Sequence, residues 1–95
     1  MLKHIVLLNF KESVTAAQIA DLKSSLLALP DKIKEIKSYE CGIDPRATKT
    51  FDFVLVSTFD DFDALKAYQV QPDHVEVLTK VRNMSARIEV ADFEY

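Results

Sequence analysis

The chain has a single glycine, Gly42, and no tryptophan. A glycine-rich loop that would wrap a phosphate in backbone N–H groups is therefore missing, which disfavours nucleotide binding of that kind. There is also a single cysteine, Cys41, so no disulfide can close within the chain. Cys41 has no CxxC partner and sits in a strand-like run, which favours a small buried filler over a reactive thiol. Basic charge is not in excess: 12 Lys and Arg stand against 15 Asp and Glu, for a formal net charge of -3. A binder of nucleic-acid phosphates needs a clustered basic face, and Lys32, Lys34 and Lys37 are instead interleaved with Asp31 and Glu35 as solvated surface. No apolar run approaches the length of a membrane span. Met1-Leu2-Lys3-His4 leads straight into a short β-favouring segment rather than a signal-peptide core. These absences point to a cytoplasmic protein with neither nucleic acid nor membrane as partner.

What is present describes one small folded unit. The 95 residues are 48% hydrophobic and 28% charged, which fits one globular domain, residues 1–95, with one core. A domain this small is poorly able to bury all of its apolar surface alone. Leu2 to Phe10 reads as a strand. Thr15 and Gln18 fit a capping box with Val14 as a staple, followed by a helix with Ile19, Leu22, Leu26 and Leu29 on one stripe. Pro30 disturbs that helix. A second strand runs from Ile36 to Ile43, and a third from Phe51 to Phe59. Asp60 or Asp61 caps a helix carrying Phe62, Leu65 and Tyr68. Pro72 then starts another at its first position, with Val75, Leu78 and Val81 as its apolar stripe. Ala86 to Tyr95 is a fourth strand.

The order β-α-β-β-α-β, with the second helical region broken in two, is that of an α+β, ferredoxin-like fold. Such a fold has a four-stranded antiparallel sheet with its helices on one face. In the first strand His4, Val6, Leu8 and Phe10 oppose Ile5, Leu7 and Asn9; in the third, Val54 and Val56 oppose Phe53 and Leu55. Both faces are apolar, the helices cover one, and an uncovered apolar sheet does not stay in water. The expectation is a homodimer whose two sheets pack face to face, with Ile5, Leu7, Phe53 and Leu55 in or near the seam.

The chemistry-bearing residues are few. Tyr68 and His74 flank the proline break in Tyr68-Gln69-Val70-Gln71-Pro72-Asp73-His74, and His4, the second of the chain's two histidines, opens the first strand. Histidine and tyrosine are the candidates for acid–base work near neutral pH. A half-buried His74 would have a lowered pKa and stay neutral as a general base, with Tyr68 donating to a carbonyl or enolate oxygen. The bland alternative is that His74 braces the helix break and Tyr68 packs. His4 is either an orienting group or a satisfied core histidine. Two histidines so far apart, without HxH or ExxH spacing, do not suggest a metal site, and no metal or other cofactor is expected. Phe59-Asp60-Asp61-Phe62-Asp63 reads as capping rather than cation binding. Arg82 and Arg87 are either surface charges or grips for an anionic substrate.

Three separated segments carry a family likeness: Lys3-His4-Ile5-Val6-Leu7-Leu8-Asn9-Phe10-Lys11, Ala67-Tyr68-Gln69-Val70-Gln71-Pro72-Asp73-His74, and Val90-Ala91-Asp92-Phe93-Glu94. In these the chain resembles the stress-responsive A/B barrel (Dabb) domain family of dimeric α+β barrels, over essentially its whole length. One plant member of that family is a polyketide cyclase. The resemblance implies that His74 and Tyr68 are the catalytic pair. It also implies that His4, Val6 and Leu8 from the strand, and Leu22 and Leu26 from the first helix, bind substrate in a pocket between sheet and helices. Two departures stand out. Gln71 replaces a histidine common at the break, and Leu22 and Leu26 replace aromatic pocket residues, so the cyclase substrate does not carry over. The function implied is binding of a small apolar or aromatic carbonyl compound, with cofactor-free cyclisation or isomerisation. The alternative is a non-catalytic structural or stress-response dimer.

Overall fold

A computed structural model describes residues 1–95. The elements in chain order are β1 (Leu2–Phe10), α1 (Ala16–Leu27), a 3₁₀ turn (Leu29–Asp31), β2 (Ser38–Ile43), β3 (Phe53–Phe59), α2 (Phe62–Val70), α3 (Pro72–Met84) and β4 (Ser85–Glu94). The strands form one sheet in the order β2-β3-β1-β4, every neighbouring pair antiparallel. No helix is long and apolar enough to cross a membrane.

Local chemistry accounts for the helix boundaries. The Thr15 hydroxyl accepts from the Gln18 amide at 3.2 Å, and the Gln18 side chain accepts in return from the Thr15 amide at 2.8 Å, closing the capping box. Asp61 accepts from the Ala64 amide at 2.8 Å and starts α2. The break between α2 and α3 falls at Gln71, whose extended backbone ends one helix while Pro72 occupies the first position of the next. The strand starts moved inward: Ile36 and Phe51 lie before β2 and β3 rather than in them.

Register decides which face is which. Val6 pairs with Leu55 and Leu8 with Phe53, while Ile5 pairs with Val56 and Leu7 with Val54. Directly opposed residues share a face. Leu8, Phe53, Leu55 and Phe59 are all buried beneath the helices, against Leu22, Leu26, Leu65 and Val81 of the same core. The expected seam is therefore corrected at two positions. Phe53 and Leu55 belong to the helix-side core, and the open face carries Ile5, Leu7, Val54 and Val56, joined by Ala91 and Phe93 of β4. The stripe of α3 is corrected as well. Val75 is exposed, and the buried residues are Val77 and Val81. Each step of three residues falls about 60° short of a full helical turn, so Val75-Leu78-Val81 drifts off any single face.

Candidate functional site

The helices do not cover the sheet evenly. They pack over β2, β3 and β1, while every residue of β4 after Ser85 is exposed. On the helix side of β4, Ile88 and Val90 stand opposite Leu8 and Val6. Between them and α3 lies a cavity of about 360 Å³. Its wall holds His4 and Val6 of β1, Leu26 of α1, Tyr68 and Gln69 of α2, and His74, Leu78 and Arg82 of α3. Leu8 and Leu22 are not on that wall. Both are fully buried in the core, where periodicity alone cannot separate a packed leucine from a pocket leucine.

His74 comes to the cavity on the first turn of α3. Gln71 caps that turn, its side-chain oxygen accepting from the Asp73 amide at 3.1 Å. The glutamine that replaces the expected histidine is thus a capping residue here. His74 Nδ1 lies 3.1 Å from the Gln69 carbonyl oxygen, across the helix break. A carbonyl only accepts, so Nδ1 carries the proton and the neutral ring keeps a bare lone pair at Nε2. Burial pushes the His74 pKa below its ordinary value; the Gln69 carbonyl opposes this, and the nearby His4 and Arg82 add to it. Such a group is a neutral base at pH 7.

Tyr68 lies beneath that imidazole, with ring centroids 4.1 Å apart. It is 1% exposed, and its hydroxyl shares a 2.7 Å hydrogen bond with the hydroxyl of Tyr39 on β2. Burial raises its pKa to about 12, against a lowering by the Tyr39 bond, and burial also raises the Tyr39 pKa. Both phenols therefore stay protonated, and Tyr68 is suited to donate a hydrogen bond, not to take a proton. If Tyr39 donates into the Tyr68 oxygen, the Tyr68 proton is left without a protein acceptor.

His4 faces the same space from the sheet. Its Nδ1 sits 2.5 Å from Asp92 Oδ1, the two being direct cross-strand partners on β1 and β4. The carboxylate fixes the ring through Nδ1 and leaves Nε2 as the nitrogen open to a ligand. Tyr39 and Asp92 were absent from the sequence-based site. Asp92 has the same strand parity as Ile88 and Val90, a signal readable once β4 is paired with β1. Tyr39 carried no comparable signal.

Other candidates have simpler roles. Cys41 is half-buried, and desolvation raises its thiol pKa, which keeps it out of the thiolate form. No group of three or more His, Cys, Asp or Glu side chains is placed to hold a metal ion. Arg87 pairs with Glu89 at 3.1 Å and lies over the Phe51 ring, away from the cavity.

A four-stranded antiparallel sheet, helices on one face and a pocket at the helix break define a ferredoxin-like α+β protein. Within that class, the family model for the stress responsive A/B barrel domain matches residues 2–95, and the chain belongs to that family. It is 26% identical to the stress-response A/B barrel domain-containing protein HS1 of Arabidopsis thaliana over 95 residues, covering 97% of this chain and 87% of the relative. A dimeric ferredoxin-like protein from Thermobifida fusca superposes with a TM-score of 0.90 at 32% identity, covering 99% of this chain and 90% of its own. A dimeric protein of ferredoxin-like fold from Bacteroides fragilis gives the same TM-score of 0.90 at 28% identity, covering 99% and 95%.

Proposed function

We propose that this protein is a homodimer whose subunits each bind a compact apolar or aromatic carbonyl compound between α3 and β4, with His74 as base. The observation that carries the reading is the orientation of His74. Its Nδ1–H is tied to the Gln69 carbonyl, which leaves Nε2 of the neutral ring unprotonated, and His74 lines a mostly apolar cavity. In the reaction that suits these groups, Nε2 takes a proton from the carbon next to the ligand carbonyl. The C–H electrons move into the carbonyl as an enolate, whose oxygen accepts from Tyr68. Return of the proton to a different carbon is isomerisation; attack of the enolate carbon on a second carbonyl, whose oxygen then takes the proton back from His74, is aldol cyclisation. His4, held by Asp92, orients the far end of the ligand, while Val6 and Leu26 shape the space around it. No cofactor is needed for either outcome.

The dimer reading rests on the open sheet face. Ile5, Leu7, Val54 and Val56 form an apolar patch that the chain's own helices leave uncovered, and two similar solved proteins are dimeric. A cytoplasmic location is part of this proposal, and cell fractionation that recovers the protein outside the cytoplasm would overturn it.

The test of the chemistry is exchange of acetophenone methyl protons for deuterium, followed by NMR in D₂O. The wild type is expected to accelerate exchange, and His74→Ala to lose about a hundredfold of that acceleration, the ordinary scale of a positioned base. Exchange no faster than in buffer would remove the catalytic role. A second reading then gains weight from the same hydrogen bond. His74 bridges α3 back to the last turn of α2 and stacks on Tyr68, the geometry of a brace in a structural dimer. Under that reading His74→Ala costs about 1 kcal/mol of stability and changes no rate.

A further inference from the structure

We infer that the ligand of this cavity is an apolar acid, with its anionic group held by Arg82 at the mouth. This rests on the pocket reading above and names the class of molecule that the pocket takes. The chain is acidic overall, at -3, yet no Asp or Glu lies on the cavity wall. The ionisable groups there besides Tyr68 are His4, His74 and Arg82, and Arg82 alone carries a permanent positive charge. Arg82 sits in the last turn of α3, two turns beyond His74 on the same helix. It is close enough for its charge to contribute to holding the His74 pKa down.

Arg82 has no carboxylate partner. The chain's ion pairs engage Lys37, Arg46, Lys80, Arg87 and His4, and the Arg82 side chain makes no hydrogen bond within the protein. An unpaired guanidinium normally extends into water. Arg82 is exposed, yet it lines a cavity whose wall is otherwise built mostly from Val, Leu and Ile, including Val6, Leu78 and Val90. Its fork of N–H donors matches a carboxylate in two parallel hydrogen bonds. The apolar wall takes the rest of the molecule, and about 360 Å³ admits a body no larger than a short acyl chain or a substituted ring. Carboxylate at Arg82 and carbon skeleton toward His74 is the orientation that follows.

The experiment is calorimetric titration of the full chain with octanoate against octanamide, and cinnamate against cinnamamide. Each pair shares a shape and differs in charge. At about pH 8 His74 is neutral, so it cannot supply the anchoring charge. The wild type is expected to favour each acid over its amide by about tenfold, a modest charge-assisted pair at an exposed site. Arg82→Gln, a surface change that leaves the core untouched, should erase that preference while amide affinity stays constant. Arg87→Gln, whose guanidinium already pairs with Glu89, should leave the preference intact. Equal binding of acid and amide by the wild type, or a preference surviving in Arg82→Gln, would overturn the assignment while leaving a ligand pocket in place. Failure of all four compounds to bind would overturn the assignment and the pocket reading together.

Discussion

The two ends of the interface between helices and sheet are built differently. At the β2–β3 end, aromatic side chains are packed inside: Phe59, Tyr68 and Phe53 are completely or almost completely buried. Tyr39 closes that end by bonding to Tyr68, and the Phe59 ring packs 4.9 Å from the Tyr68 ring. At the β4 end, α3 does not close down on the same sheet face. Ile88 and Val90 are 38% and 54% exposed, and a cavity takes the place of packing. The lesson is that one small core supplies both rigidity and a site. The filled end fixes Tyr68 and the helix break, and through them the position of His74 over the open end.

Mutations across the two ends should separate by size. Phe53→Ala leaves a void in close-packed surroundings and should cost about 3–5 kcal/mol. Val90→Ala, on a wall that is already half open, should cost under about 1 kcal/mol. Urea unfolding at fixed protein concentration measures both, and equal losses would break the contrast.

The two faces of the sheet give a second contrast. Val56→Asp places a carboxylate in the proposed seam without touching the helix-side core. It should cost the dimer a few kcal/mol and yield a folded monomer at micromolar concentration in sedimentation velocity. An unchanged dimer would put the interface elsewhere.

A smaller effect isolates the filled end. Tyr39→Phe leaves the buried Tyr68 hydroxyl without its partner and should cost about 1–3 kcal/mol. It also removes the bond that lowers the Tyr68 pKa, so ultraviolet titration should show Tyr68 ionising at higher pH in the variant than in the wild type. An unmoved titration would mean that the hydroxyl pair does not hold Tyr68.

The smallest effect is a pH dependence at the open end. The His74 pKa is lowered by burial in the folded protein and returns to about 6.5 on unfolding. Its contribution to stability is therefore complete above about pH 6.5 and is lost as pH falls through the folded value, because the unfolded chain binds the proton first. Urea midpoints between about pH 8 and pH 5 should decline at the acidic end, and His74→Gln should flatten part of that decline. A wild type and a His74→Gln variant with identical pH profiles would contradict burial as the cause.

Much of this was legible in the chain because it is local. The Thr15–Gln18 capping box, the Asp61 cap and the break at Pro72 depend on residues a few positions apart, and each forms where the pattern places it. Pairing is not local. The alternation in β3 separates Val54 and Val56 from Phe53 and Leu55, but with both sets apolar only the register with Val6 and Leu8 says which set lies under the helices. The site shows the same limit. His4, Val6, Leu26, Tyr68 and His74 lie on the cavity wall, whereas Leu8 and Leu22, identical in pattern, are packed shut. Asp92 and Tyr39 act on residues 88 and 29 positions away, beyond any local spacing rule.

The central claim, that the open end binds a small ligand beside His74, is tested most directly by watching the two histidine rings. Acetophenone would be titrated into protein carrying carbon-labelled histidine, and the imidazole C–H resonances followed by NMR. The account predicts saturable shifts at both His74 and His4, with a common affinity, because both face one cavity. Resonances that do not move, or that move without saturating while the ligand binds elsewhere, would contradict it.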